Sequence, residues 1–332
     1  MNRLRFGVIG TNFITDWLIS GGRLDERFEL TAVYSRAQET ADAFAAKHGI
    51  PHTFTSLEAM ASSPLIDAVY VASPNYLHSE QSIFCMDHGK HVLCEKAFAS
   101  NSREAAGMIA AARRNRVALM EAMKPTLTPN FFAARDALSR IGVVRKYFSC
   151  YCQYSSRYDK FREGVVLNAF QPELSNGALL DIGVYTIYPM VVLFGRPQTI
   201  KAAGFKLSSG VDGAGSVVFS YPTMDAAVIY SKIANSSLPT EIQGEDGNIE
   251  LNRINIISKV NLRLRNGQNE CITRPSLENE YFYEIKEFID IVQSGKQESS
   301  INSWENSLTT IEIMDEIRRQ LGIVYTQPTV RL

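Results

Sequence analysis

The chain predicts an α/β protein with two parts: a doubly wound parallel sheet at the N-terminus, then an α+β domain built on a large, mostly antiparallel open sheet. Three observations lead there. Up to about residue 120, short apolar runs alternate with amphipathic segments in repeated βαβ order. Beyond Lys124-Pro125 this rhythm gives way to long alternating runs, the pattern of strands with one covered face. A length of 332 residues with 45% hydrophobic content favours two cores over one. The expected domains are 1–124 and 125–332.

In order, strands are expected at Leu4–Ile9, Phe28–Tyr34, Ala68–Val71, His91–Cys94 and Val117–Met120. Helices between them are expected at Phe13–Ile19, Ala37–Lys47, Leu77–Asp87 and Ser102–Arg114. The last of these has a capping residue, Asn101, and Glu104 in its first turn. In the second part, the runs Val144–Tyr154, Thr199–Leu207, Gly215–Tyr221, Ala226–Ile233 and Val260–Leu264 read as strands, broken by turns such as residues 244–248. Helices at Glu278–Val292 and Glu305–Leu321 close the chain. The apolar stretch Gly177–Gly195 contains Asp181 and Pro189, which argue for a buried helix instead of a membrane span.

With 34 basic and 35 acidic residues, the chain lacks the electrostatic footprint of a nucleic-acid or anionic-membrane binder, and a small neutral ligand is expected. The first strand begins at once, with no apolar signal region, so no export is expected. The five cysteines lack metal-ligand spacing and read as free thiols in a reducing cytoplasm.

Gly10-Thr11-Asn12-Phe13-Ile14 follows the first strand, where a dinucleotide fold carries its glycine-rich turn. Only the first glycine is present. Asn12 is expected to replace the second by tolerating a left-handed backbone, and Thr15 to stand for the third. The second strand ends at Ser35-Arg36, where an NAD site carries an acidic residue for the ribose. A guanidinium there suits a 2′-phosphate, favouring NADP with NAD possible; the alternative is a solvated arginine. Ser73-Pro74-Asn75 follows the strand Ala68–Val71 at its carboxyl end, with Asn75 and backbone amides directed to the cofactor. His78 is either part of that site or a cap of the next helix.

These pieces, with Gly89–Lys96, Met120-Glu121-Ala122 and Gly177–Tyr185, resemble over essentially the full length the glucose-fructose oxidoreductase, inositol dehydrogenase and rhizopine-catabolism (Gfo/Idh/MocA) family. The resemblance implies an N-terminal Rossmann domain, a C-terminal substrate-binding domain and a homodimer or larger oligomer formed through the C-terminal sheet. It implies that Glu95-Lys96 lies beside the nicotinamide, with Ala97 where the family has proline. It also places the chain near the dihydrodiol dehydrogenase subgroup, in which tyrosine is the acid/base: here Tyr185, supported by Asp181 and Lys96.

The residues agree with that chemistry. Asp181 and Tyr185, four apart on a helix, share a face. A tyrosine with a pKa of about 10 is a poor base near neutrality, and an ammonium such as Lys96 would favour its phenolate. The expected activity is hydride transfer between a nicotinamide cofactor and a hydroxyl or carbonyl of a sugar, polyol or cyclic diol. The alternative is a cofactor-binding sensor or scaffold of the same fold that has lost chemistry, as the departures at Asn12, Thr15 and Ala97 would allow.

Overall fold

The computed structural model describes residues 3–326, and the chain divides into two compact units. The first runs to Lys124 and takes in Leu277–Ser307; the second comprises Pro125–Ser276 and the residues from Leu308 onward.

The first unit is built from β1 (Leu4–Ile9), α1 (Phe13–Gly22), β2 (Phe28–Tyr34), α2 (Gln38–His48), β3 (His52–Phe54), α3 (Leu57–Ala61), β4 (Ala68–Val71), α4 (Asn75–Asp87), β5 (His91–Glu95), α5 (Ser102–Asn115) and β6 (Leu119–Ala122). Its six strands are all parallel in the order β3-β2-β1-β4-β5-β6, the doubly wound order, with the reversal between β1 and β4. Helices cover both faces, so Phe6, Val8, Val69, Tyr70, Val71, Val92 and Leu93 are completely buried. Asn101 caps α5 as expected: its side chain accepts from the Glu104 amide at 3.0 Å while Glu104 accepts from the Ser100 amide at 3.1 Å. The strand read at Val117–Met120 begins two residues later, because the Val117 amide closes the end of α5 on the Ala112 carbonyl. β3 and α3 are too short for their periodicity to register in the sequence.

Residues 277–307, placed by the sequence in the second domain, pack with the first unit. Phe288, Ile285 and Ile289 of the helix Tyr281–Gln293 are fully buried, and Phe288 lies 5.9 Å from the ring of Phe6 in β1. Arg27 reaches Asp290 at 2.7 Å. An amphipathic helix fits either domain by pattern alone; only these partners decide.

The second unit contains α6 (Pro129–Asp136), β7 (Val144–Cys152), α7 (Tyr158–Arg162), α8 (Val184–Phe194), β8 (Thr199–Lys206), β9 (Asp212–Ser220), β10 (Asp225–Ser231), β11 (Thr240–Gly244), β12 (Gly247–Leu251), β13 (Val260–Leu264) and β14 (Asn269–Cys271). Its eight strands run in the order β14-β13-β12-β11-β7-β10-β9-β8, antiparallel except for β7 beside β10. Tyr147, Val217, Phe219, Val228, Tyr230, Ile242 and Ile249 are buried on one face. Against that face lies α8, where the Thr186 carbonyl accepts from the Tyr147 hydroxyl at 3.0 Å. On the other face Val218 stays 49% and Phe205 59% exposed. The hairpin β11–β12 was not read as strands because Glu241, Gln243, Asn248 and Glu250 interrupt its apolar residues; Glu241 accepts from both Gln243 and Asn248. Pro172–Phe194 is long and apolar enough to cross a membrane but is 72% buried within the protein.

Candidate active site

In the first unit the expected residues gather at the carboxyl ends of β1, β4 and β5. Gly10 has φ +104°, and a Cβ there would sit 2.5 Å from the Ala72 carbonyl oxygen, so a side chain is excluded twice over. Asn12 does not replace a second glycine. Its backbone is extended, at φ −92° and ψ 175°; it caps α1 by accepting from the Ile14 amide at 2.9 Å and donates to the Ala72 carbonyl at 3.0 Å. Thr15 fills the helix–strand contact of the missing third glycine: it is fully buried, and its hydroxyl donates to the Gly10 carbonyl at 2.9 Å. Thr11, Phe13 and Ile14 complete the turn, and Phe13 is half exposed. A bare Gly10 at the mouth of a capped helix N-terminus fits a dinucleotide pyrophosphate, which needs close backbone approach and amide donors. At the end of β2, the Ser35 amide bonds the Phe54 carbonyl at 3.1 Å, while Arg36 is exposed.

Ser73, Pro74 and Asn75 form the bend that opens α4. His78, expected either in the cofactor site or as a cap of α4, makes no capping hydrogen bond there. It is buried, its ring nitrogens lying 2.9 Å from the carbonyls of Ser73 and Ala97; with one N–H, the neutral ring donates to one of them and packs between the loops after β4 and β5. Burial pushes its pKa down to about 4. The Lys96–Ala97 peptide is cis.

Glu95 is buried too. Its carboxylate accepts from the Tyr70 hydroxyl at 2.5 Å and from the Lys96 amide at 3.2 Å, so both oxygens brace the loop. Glu121 accepts from the Phe98 amide at 3.0 Å, and burial raises its carboxyl to about 8. Between Val92 and Ser100 every residue is buried except Lys96.

The second unit shows the same contrast. From Gly177 to Val191 every residue is buried except Asp181 and Tyr185. The regular helix expected here begins instead as a π-helical turn, Leu179–Gly183, which runs into α8. Asp212 sets that turn: its carboxylate accepts from the Leu179 amide at 2.7 Å, and a Cβ on Gly177 would stand 2.3 Å from the other oxygen. Burial raises Asp212 to about 6. The Tyr185 ring packs edge-on against Tyr151 with centroids 5.6 Å apart.

Asp181 is expected, with Lys96, to support Tyr185. In its own unit Asp181 pairs with Lys232, 2.5 Å from its Oδ2. Lys232 and Asp212 were both missed. A signal for Lys232 existed: in the run Ala226–Ile233 it falls in register with Ala226, Val228 and Tyr230, all buried, and a lysine on a core face needs a partner. Among the described residues no group of three or more acidic, histidine or cysteine side chains is arranged to hold a metal.

Comparison with known proteins agrees with this architecture. The family model described as "Oxidoreductase family, NAD-binding Rossmann fold" matches residues 4–123, and that of the GFO/IDH/MocA C-terminal domain matches residues 138–250. The scyllo-inositol 2-dehydrogenase (NADP(+)) IolU of Bacillus subtilis is 55% identical over 322 residues, covering 97% of this chain and 98% of its own. The trans-1,2-dihydrobenzene-1,2-diol dehydrogenase of Danio rerio is 32% identical and covers 98% of both chains. Among solved structures, the aldose-aldose oxidoreductase of Caulobacter crescentus superposes with a TM-score of 0.86 at 20% identity, over 96% of this chain and 97% of that one.

Proposed function

The chain belongs to the Gfo/Idh/MocA family of oxidoreductases, and from that premise we propose that it is an NADP-dependent dehydrogenase of a cyclic polyol, sugar or diol. Tyr185 is its acid/base, and Asp181 and Lys96 support it. One observation carries the reading. Two long segments, 92–100 and 177–191, are buried throughout except for one ammonium, one carboxylate and one phenol. Segments that leave only these three side chains reachable have reserved them for chemistry.

The nicotinamide takes or gives the hydride; the protein binds, orients and moves the proton. Gly10 and the N-terminus of α1 receive the pyrophosphate, and Arg36 receives the 2′-phosphate. Ser73, Pro74 and Asn75 line the carboxyl end of β4 at the same crevice. Tyr185 exchanges the hydroxyl proton of the substrate. The substrate class follows the relatives, one acting on an inositol and another on a cyclic trans-diol. The exposed Val218 and Phe205 further support a homo-oligomer that pairs through the open sheet face, which the native mass in solution tests.

The decisive assay is the initial rate of NADP and NAD reduction over a panel of inositols, aldoses and cyclic trans-diols. Turnover of one class with NADP is expected. Tight NADPH binding with no turnover on the whole panel would refute the dehydrogenase and leave a nucleotide-binding sensor.

A further inference from the structure

We propose that Lys232 is a positioning residue of this active site: it fixes the direction of the Asp181 carboxylate and supplies its counter-charge. The proposal rests on the reading of Asp181 as part of the catalytic set.

The geometry is one-sided. The Lys232 side chain is 5% exposed and that of Asp181 39%. A stabilising staple would be sunk at both ends. Here the cation is sunk while the carboxylate it pairs with is part-exposed. The ammonium also lies 5.5 Å from the centre of the Phe170 ring, which gives it a second favourable surface. Asp212 adds a further negative charge in its surroundings.

Stability alone does not explain the lysine. Removing an ammonium from water costs several kcal/mol, roughly what an ion pair returns, and an apolar residue at such a place is commonly neutral or better. What the pair does provide is direction. Asp212 and Gly177 fix the backbone of the π turn through the Leu179 amide, and Lys232 fixes the side chain that the turn presents. Pre-set orientation of a reacting group is worth large factors in rate, and a misplacement of 1 Å costs about 100-fold.

The test is a double-mutant cycle on kcat with the best polyol substrate: parent, Lys232→Met, Asp181→Asn and both together, with NADPH affinity and melting temperature measured alongside. Lys232→Met is expected to lower kcat roughly 10- to 100-fold, with NADPH affinity within about 3-fold of the parent. The double variant should be no slower than Asp181→Asn by more than about 2-fold, because Lys232 acts through Asp181. Lys232→Arg should recover most of the rate.

Two results would overturn the proposal: parental kcat in Lys232→Met, or single losses that multiply in the double variant, which marks an independent structural role. Parental kcat in Asp181→Asn would instead sink the catalytic reading of Asp181. If Lys232→Met does not fold, the arginine variant and the uncharged double variant carry the test, and an arginine variant as slow as Asp181→Asn rejects it.

Discussion

The two sheets place their chemistry differently. In the parallel sheet, buried on both faces, the candidate residues lie where strands end: Gly10 and Lys96 directly after β1 and β5, and Ser73 two residues after β4. In the antiparallel sheet one face is covered by α8 and the turn before it, and the reachable groups, Asp181 and Tyr185, lie on that covering segment. Their support comes from strand neighbours distant in sequence: Lys232 after β10 and Asp212 at the start of β9. A site at strand ends is written as a local motif; a site on a covering helix is written as a long-range pairing.

If Lys96 and Tyr185 stand apart from the burial around them, losing their polar atoms should leave the fold intact while removing chemistry. Lys96→Met and Tyr185→Phe are each expected to lower kcat by about 1,000-fold, within the range of general acid–base catalysis. Melting temperatures should stay within roughly 3 °C of the parent, as for substitutions that open no cavity. A Lys96→Met protein that melts far lower would show that Lys96 belongs to the packing of its loop, and the comparison between the two segments would break.

That contrast also explains what the sequence made legible. The strands Leu4–Ile9, Phe28–Tyr34 and Ala68–Val71 are found where the apolar runs place them, because a strand buried on both faces is a continuous apolar run with sharp ends. The reading of Asn12 failed because an asparagine after a glycine satisfies two descriptions, left-handed turn and helix cap, and the free amides of α1 select the cap. The surroundings of His78 are not legible locally, because the carbonyls beside its ring belong to Ser73 and to Ala97, nineteen positions further along. The π turn has no periodicity of its own; it arises where Asp212, a residue of another element, takes the Leu179 amide. That Lys96, Asp181 and Tyr185 alone are reachable within residues 92–100 and 177–191 is a property of the packed fold that no local pattern encodes.

Buried carboxyls in the two units differ in the pH at which they weaken the fold. Asp212 is raised to about 6 and Glu121 to about 8. A carboxyl whose folded pKa lies above its unfolded value stabilises fully below the unfolded pKa and loses that contribution as pH rises through the folded one. Asp212 has therefore lost most of its share by pH 6.5, while Glu121 is still losing its own up to about pH 8. His78 has the opposite sign and acts lower, destabilising as pH falls from 6.5 towards 4. Between pH 6.5 and 8, stability should fall by roughly 1–2 kcal/mol on account of Glu121, given about 1.4 kcal/mol per pH unit for one proton. Glu95 and Glu284 are also raised by burial, so each loses its contribution in the same sense, as pH rises through its folded value. Glu121→Gln, which keeps the acceptor for the Phe98 amide, should flatten the urea-unfolding stability over that range. An unchanged slope would mean that Glu121 is already ionised in the folded protein.

The smallest expected effect concerns the residues just past the carboxyl end of β2. Arg36 stands in solvent past the end of β2, so a 2′-phosphate bound there would be held by a surface charge-assisted contact. Arg36→Ala should raise the Kd for NADP about 10-fold and leave that for NAD within about 2-fold, since NAD carries no phosphate there. The loss should shrink with added salt, because an exposed pair is screened. Equal weakening of both cofactors would place Arg36 against the adenosine itself. No change in either would leave it a solvated arginine at the start of α2, with the preference for NADP lying elsewhere in the turn between β2 and α2. Because Arg36 lies two residues past the end of β2, near where Gly10 and Lys96 lie on their own strands, a selective loss would extend strand-end placement from the proposed chemistry to the choice of cofactor.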